Sequence, residues 1–207
     1  MLAEKKKNSE KLHIALSMLR AAEEIERLID NFVVDVNFAF GLSQTTPLIE
    51  ASKVGDKRVV EILLDKGAEI EKVDLWKKTA LHWAAYNGKL NVVNLLIDEG
   101  AEVDKTDSNK LTPLFWAVQE GYKDVVKVLL KQGANPDLQD KFGKTPLHVA
   151  AAQGNIGVIK HLIEGGANPN KKDKWGATTL HDASNKKVVK ELLDGGADPI
   201  IATCSME

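Results

Sequence analysis

The chain has 207 residues, of which 43% are hydrophobic and 28% are charged, a composition typical of a folded protein and not of a disordered one. A formal net charge of -2 offers no overall attraction to nucleic acid or to an anionic membrane, so neither is expected as a partner. The single cysteine, Cys204, excludes an intramolecular disulfide and a cysteine-based zinc site. With no apolar run of signal-peptide or membrane-spanning length, we expect a cytoplasmic protein that can also enter the nucleus.

In chain order, residues 1–9 are predicted to be a polar N-terminal tail, since the stretch is rich in lysine. An internal repeat begins near residue 10, where Leu12-His13-Ile14-Ala15 matches the later copies in part. From residue 46 onward, a threonine two residues before a leucine returns every 33 residues, and an alanine follows three residues after the leucine. These copies begin at Thr46, Thr79, Thr112, Thr145 and Thr178. A fixed period of this kind predicts a repeat architecture.

Each copy predicts a helix, a turn, a second helix and a loop. Thr46 can cap the first helix through its hydroxyl, and Pro47 at the first helical position loses no needed N–H. The second helix carries paired apolar residues on one face, such as Val59-Val60 and Leu63-Leu64, and residues 70–78 form a connecting hairpin. A left-handed glycine ends the first helix of successive copies, at Gly55, Gly88, Gly121 and Gly154. Because such short helices are not stable alone, stability must come from stacking of the copies.

The last copy is three residues short between Ala183 and Val188, which predicts a shortened first helix with Asn185 in place of the turn glycine. Hairpin turns also vary along the chain. Lysine stands at Lys77 and Lys110 where later copies have Gly143 and Gly176. If this turn position requires a positive φ, the lysines cost some stability.

The motif Thr145-Pro146-Leu147-His148-Val149-Ala150 matches the signature of the ankyrin repeat at every fixed position, and two further copies differ from it only at the proline. The chain therefore resembles the ankyrin repeat family over nearly its whole length. The resemblance implies an all-α repeat fold, an ankyrin α-solenoid of helix-turn-helix units joined by β-hairpin loops. It implies one domain over residues 10–200, with repeats beginning near residues 10, 46, 79, 112, 145 and 178, followed by a C-terminal tail at residues 201–207.

Candidate catalytic and metal-binding residues are few. Histidines occupy one slot of the repeat, at His13, His82, His148 and His181. The resemblance implies that this histidine forms hydrogen bonds within and between neighbouring hairpins. Gly143-Lys144-Thr145 is similar to the end of a phosphate-binding loop, but Leu138 stands where that pattern needs a glycine. We therefore predict no catalytic residue, no metal site and no cofactor.

The resemblance implies that the hairpin tips and the inner helices line a concave binding surface. The third tip position of successive copies reads Ser43, Trp76, Asn109, Phe142 and Trp175. Large exposed aromatics are enriched among the anchors of interfaces. The predicted partner-binding residues are Trp76, Tyr86, Asn109, Gln119, Glu120, Phe142 and Trp175. The alternative is that each aromatic ring folds back over its own hairpin. Trp83 and Trp116, beside the motif's alanine, are predicted to pack in the core, and the alternative is partial exposure to the groove.

Two further features concern the hairpin asparagines and the lysines. Asn37 and Asn170 occupy a slot that is an asparaginyl hydroxylation site in some members of the resembled family. The alternative role of each is that of a turn-capping amide. Lysines cluster at residues 171–174 and 186–190, which favours a local basic end suited to an acidic partner segment.

The sequence therefore predicts a monomeric, non-catalytic module for protein–protein interaction, an adaptor, scaffold or inhibitor that binds a protein or peptide. The alternative function is a regulatory domain excised from a larger enzyme or channel.

Overall fold

The computed structural model describes residues 2–17 and 21–200 of the chain. The predicted C-terminal tail, residues 201–207, lies outside the described residues. Two compact units are present, an N-terminal unit, Met1–Glu102, and a C-terminal unit, Val103–Glu207.

The N-terminal unit consists of paired helices in two layers. Its helices are α1 (Leu2–Ser17), α2 (Ala22–Asn31), α3 (Pro47–Val54), α4 (Lys57–Asp65), α5 (Ala80–Tyr86) and α6 (Leu90–Asp98). The inner helices α1, α3 and α5 pack in sequence, and the outer helices α2, α4 and α6 pack in the same order. A single isolated bridge, between Phe40 and Thr45, is the only strand-like pairing in the described part of the chain.

The C-terminal unit repeats the two-layer arrangement, with five named helices among its described residues. Its helices are α7 (Pro113–Gln119), α8 (Lys123–Lys131), α9 (Pro146–Gln153), α10 (Ile156–Glu164) and α11 (Lys186–Asp194). Inner helix α7 packs on α9, while outer helix α10 lies between α8 and α11. The all-α repeat fold expected from the sequence is thus confirmed over the described residues.

The predicted helix ends are confirmed in their atomic detail. Thr46 Oγ1 accepts a hydrogen bond from Ile49 N at 3.3 Å, and Pro47 follows at the first helical position of α3. Gly55 and Gly154 end α3 and α9 with φ angles of 90° and 74°, in the left-handed region that glycine adopts without strain. Side chains from both layers form the core; those fully buried include Leu63, Leu81, Leu96, Leu114, Leu129, Leu147 and Leu162.

The predicted N-terminal tail is wrong over the described residues. Helix α1 begins at Leu2 and continues through residue 9 to Ser17. Asn8 and Ser9 are buried, and Ser9 Oγ accepts a hydrogen bond from Asp35 N at 2.9 Å. The lysines that suggested a tail are good helix formers, and Lys6 and Lys7 lie exposed on the solvated face of the helix.

The shortened inner helix of the last repeat is confirmed, and the shortening is complete. Residues 179–182 form turns with no helix, and the next helix begins at Lys186. The predicted role of Asn185 as the turn residue is wrong, because its φ of -163° is extended. Asn185 Oδ1 instead caps α11, accepting hydrogen bonds from Lys187 N and Val188 N at 3.0 and 3.1 Å.

Candidate interaction surface

Four of the described hairpins are each closed by an aspartate that faces its own backbone, whereas the first hairpin has Gly41 at this position. Asp74 Oδ1 accepts hydrogen bonds from Trp76 N and Lys78 N, both at 2.9 Å. The same pair of bonds, to the residues two and four positions later, recurs at Asp107, Asp140 and Asp173. Sequence reasoning did not single out these residues, although their 33-residue spacing is visible in the sequence. The aspartates hold the tip residues in a fixed conformation.

The repeat histidines take the structural role implied by the family resemblance. His148 Nδ1 lies 2.8 Å from Thr145 Oγ1 and accepts from Thr145 N at 3.2 Å, while its Nε2 lies 3.2 Å from the carbonyl oxygen of Ala177 in the next hairpin. The pKa of His148 is lowered, chiefly because burial disfavours the charged ring, although the Ala177 carbonyl opposes this. His82 and His181 bond to their threonines in the same way.

His13 differs from the histidines at the same position of the other repeats. Glu10 stands where the later repeats have threonine, and the His13 ring stacks on Phe40 with centroids 4.1 Å apart. Its Nδ1 is buried with no hydrogen-bond partner among the described residues. Burial is the main cause that lowers the pKa of His13.

The two inner-helix tryptophans do not pack in the core as predicted. Trp83 is half-buried, and its Nε1 donates to Asp74 Oδ2 at 2.8 Å. The ammonium groups of Lys53 and Lys78 lie 4.4 and 4.5 Å from its ring centroid. Trp116 is likewise half-buried and donates to Asp107 Oδ2 at 3.1 Å. The indole N–H needs a polar partner when it leaves water, and the hairpin aspartate supplies one at the edge of the core.

The tip aromatics remain exposed. Trp76, in the N-terminal unit, is 46% exposed. In the C-terminal unit, Phe142 and Trp175 are 45% and 67% exposed, and their rings stack with centroids 6.0 Å apart. Lys174 N donates to the carbonyl oxygen of Phe142 at 3.1 Å, which holds the two tips in register. Neighbouring tips therefore present a paired aromatic surface to solvent.

The remaining predicted partner-binding residues lie at the ends of inner helices or on a tip. Tyr86, at the end of α5, meets Trp83 edge-on with ring centroids 5.6 Å apart. Gln119 and Glu120 are exposed at the end of α7. Asn109 is half-buried on its tip, and its Oδ1 accepts from Lys141 Nζ at 2.9 Å.

The hairpin asparagines bridge successive repeats. Asn37 Oδ1 accepts from Glu69 N at 2.7 Å, and its Nδ2 donates to the Gly67 carbonyl at 2.9 Å. Asn170 makes the equivalent bonds with Asp198 N and the Gly196 carbonyl. In the intervening repeats a carboxylate accepts from the next repeat in the same way, at Glu71, Asp104 and Asp137. Both side-chain amides are therefore engaged in bonds between repeats, and hydroxylation of Asn37 and Asn170 stays a prediction that intact mass tests.

The described residues contain no group of three or more His, Cys, Asp or Glu side chains placed to hold a metal ion. Across the same stretch of chain, no helix has both the length and the apolar character needed to cross a membrane. A surface cavity of about 310 Å³ lies against α1, lined in part by Ser9, Asp35 and Phe38. Ser9 Oγ there donates to the Lys5 carbonyl at 2.9 Å, so it is engaged with the backbone and not with a general base.

Comparison with known protein families gives one match. The model of the family described as ankyrin repeats (3 copies) matches residues 48–140 and 132–203. Comparison with curated proteins finds no match. The family match covers the repeats in which the aspartates, histidines and tip aromatics described above recur.

Proposed function

The chain belongs to the ankyrin repeat family, whose members are in general protein–protein interaction modules, and on that premise we propose that it is a non-catalytic adaptor, scaffold or inhibitor. A partner protein or peptide binds the face formed by the hairpin tips and the inner helices. The chain acts as a monomer in the cytoplasm, with access to the nucleus. It carries out no reaction itself.

The observation that carries this proposal is the exposure of aromatic side chains on hairpins that are otherwise rigid. Trp76 and Trp175 keep about half or more of their surface in water, although each backbone is fixed by a buried aspartate. Large exposed rings on a rigid support lose little conformational entropy on binding and are typical of interface anchors. The stacked pair of Phe142 and Trp175 extends this surface over two tips.

The polar residues near the tips add specificity. Gln119 and Glu120 are exposed at the end of α7, where the Gln119 amide can donate to or accept from a bound chain and the Glu120 carboxylate can accept. Asn109, in the C-terminal unit, and Tyr86, in the N-terminal unit, complete the proposed set. Polar groups of this kind surround the apolar anchors in typical interfaces.

The test is affinity capture from cell lysate followed by mass spectrometry of the bound proteins. The wild-type chain is compared with a variant carrying Trp76→Ala, Phe142→Ala and Trp175→Ala. A matched control carries Phe32→Ala and Leu193→Ala, which remove apolar side chains of similar exposure away from the tips. Circular dichroism establishes that both variants retain the wild-type helix content.

We expect a partner that the wild type and the control capture and the tip variant loses, because removing an anchor typically costs about 2 kcal/mol or more of binding free energy. A partner retained by the tip variant and lost by the control would move the interface to the outer helices and contradict the proposal.

A further inference from the structure

The hairpin tips of the C-terminal unit alternate lysine with an aromatic residue. We name this surface, formed by Lys141, Phe142, Lys172, Lys174 and Trp175, the basic aromatic edge. All five side chains are exposed. Lys141 Nζ lies 5.0 Å from the centroid of the Phe142 ring, which in turn stacks on Trp175. Charge and aromatic surface are therefore interleaved over two adjacent tips.

The carboxylates of these hairpins face inward and do not neutralise the lysines. Asp140 Oδ1 accepts from Phe142 N and Lys144 N at 2.8 and 2.9 Å. Asp173 is 8% exposed, and its Oδ1 accepts from Trp175 N and Ala177 N at 2.9 Å. The backbone thus engages the acidic side chains of the hairpins, whereas the basic side chains project into water.

Among the described residues, the lysines of the edge have no acidic partner. Ion pairs of the C-terminal unit include those of Lys144 with Asp182, Lys160 with Glu191 and His161 with Glu164. None of them includes Lys141, Lys172 or Lys174, and Lys141 bonds to the neutral amide of Asn109. An exposed cluster of unpaired ammonium groups raises the local concentration of anionic groups and favours their binding.

A peptide fits this surface better than a nucleic acid does. Every cationic residue of positions 103–207 is a lysine, and the Asp and Glu residues of that stretch nearly balance them in number. The positive surface is therefore confined to a few neighbouring tips, whereas tight binding of a nucleic acid relies on neutralising many phosphates along its length. Two adjacent tips suit a short extended segment, in which alternate side chains reach the edge.

Resting on the proposed function, we infer that the basic aromatic edge binds an extended acidic segment of a partner protein. Asp or Glu side chains of the segment pair with Lys172 and Lys174, and an apolar residue between them packs on the exposed ring of Trp175. Because the ion pairs are exposed, this binding weakens as the salt concentration rises.

The test is a selection of displayed random peptides, each about ten residues long to span the edge in an extended conformation, on the full chain. Enriched peptides are synthesised with a fluorescent label, and their dissociation constants are measured by anisotropy at low and high salt. The charge variant is Lys172→Gln with Lys174→Gln. Its matched control is Lys186→Gln with Lys187→Gln, which removes the same charge from exposed positions of α11.

We expect the selected peptides to be enriched in Asp and Glu, and their dissociation constant to rise roughly fivefold in the charge variant. The dissociation constant should stay unchanged in the α11 control, and it should rise with salt concentration for the wild type. Selection of neutral peptides whose binding needs Trp175 and not the lysines would overturn the inference of an acidic segment and leave the proposed function standing. Equal weakening of peptide binding in both lysine variants, or the absence of any enriched peptide, would also overturn the inference of an acidic segment. An oligothymidylate of equal charge that binds more tightly than the peptides would assign the edge to nucleic acid instead.

Discussion

The two units of the molecule are built alike and present different chemistry at their hairpin tips. In the N-terminal unit the tips carry Leu42, Leu75 and Trp76, which are 95%, 62% and 46% exposed. In the C-terminal unit the equivalent positions pair Lys141 with Phe142 and Lys174 with Trp175 on the last two tips, while the first tip carries Ser108 and Asn109. One unit therefore offers an apolar surface, and the other offers a basic aromatic one.

This difference separates the residues that build a repeat from those that vary on it. The threonine cap, the repeat histidine and the inward aspartate use their polar atoms within the hairpins and helix ends, and they recur in both units. The tip side chains contribute little to these hydrogen bonds, so they can change without altering the fold. We expect substitutions of the threonine, histidine and aspartate residues to change stability, and substitutions at the tips to change binding.

The largest effect is expected from the core of the N-terminal unit. Leu81 is 1% exposed, and Leu81→Ala should lower the free energy of unfolding by about 2–5 kcal/mol because it leaves a cavity. Leu75→Ala, at the hairpin tip that precedes the repeat of Leu81, should change it by less than about 0.5 kcal/mol. Urea unfolding measures both values. Similar losses in the two variants would show that the tip is part of the core.

The next effect comes from the inward aspartates. Asp107 accepts from Asn109 N, Leu111 N and Trp116 Nε1, whereas Asp140 accepts from backbone groups of its own hairpin. We expect Asp107→Ala to cost about 2–3 kcal/mol and Asp140→Ala about 1–2 kcal/mol in urea unfolding. Asp107→Asn keeps an acceptor oxygen and serves as the control. An equal loss of unfolding free energy in the two alanine variants would show that the indole contact of Asp107 adds no stability.

A smaller effect distinguishes the two kinds of hairpin turn. Lys77 has a φ of 62°, which is strained for a residue with a side chain, and Lys77→Gly should stabilise the chain by about 0.5–1 kcal/mol. Gly143 has a φ of 80°, and a Cβ there would lie 2.8 Å from Lys174 N. Gly143→Ala should therefore destabilise by about 1–3 kcal/mol. Thermal unfolding of both variants shows whether each substitution raises or lowers stability. A loss of stability in Lys77→Gly would contradict this account.

The pH dependence of stability reports in part on the buried ring of His148. Burial lowers the pKa of His148 from its ordinary value of 6.5, so the unfolded chain binds a proton more readily than the folded chain does. The stabilisation is complete above pH 6.5 and is lost progressively as the pH falls below that value.

The matched variant is His148→Gln, which cannot titrate in this range and can retain the capping interaction with Thr145. Urea unfolding at several pH values should show a smaller loss toward acid in the variant than in the wild type. Identical pH profiles would assign the acid sensitivity to other groups.

The fold was predictable because its determinants are local and periodic. The 33-residue spacing, the Thr46-Pro47 cap and the helix-ending glycine Gly55 each act within one repeat, so the sequence reveals them without knowledge of tertiary contacts. Positive φ at Lys77 and Lys110 also followed from their alignment with glycine.

The failures concern positions where tertiary contacts decide. Ser9 is buried on its helix where the backbone N–H of Asp35, far along the chain, donates to its hydroxyl. Trp83 leaves the core because Asp74 accepts from its indole N–H. Asn185 caps a helix because the preceding segment is too short to form one. In the candidate site, the exposure of the tip aromatics was predictable, whereas the inward turn of the aspartates that leaves the lysines unpaired was not.

The most direct measurement combines unfolding and binding on one variant. The chain carrying Trp76→Ala, Phe142→Ala and Trp175→Ala is unfolded in urea and titrated with the partner that the wild type captures. We expect the free energy of unfolding to fall by less than about 1.5 kcal/mol, the value of a single aromatic contact, while binding is lost. Unchanged binding, or a loss of stability as large as that of Leu81→Ala, would contradict the separation of stability from recognition.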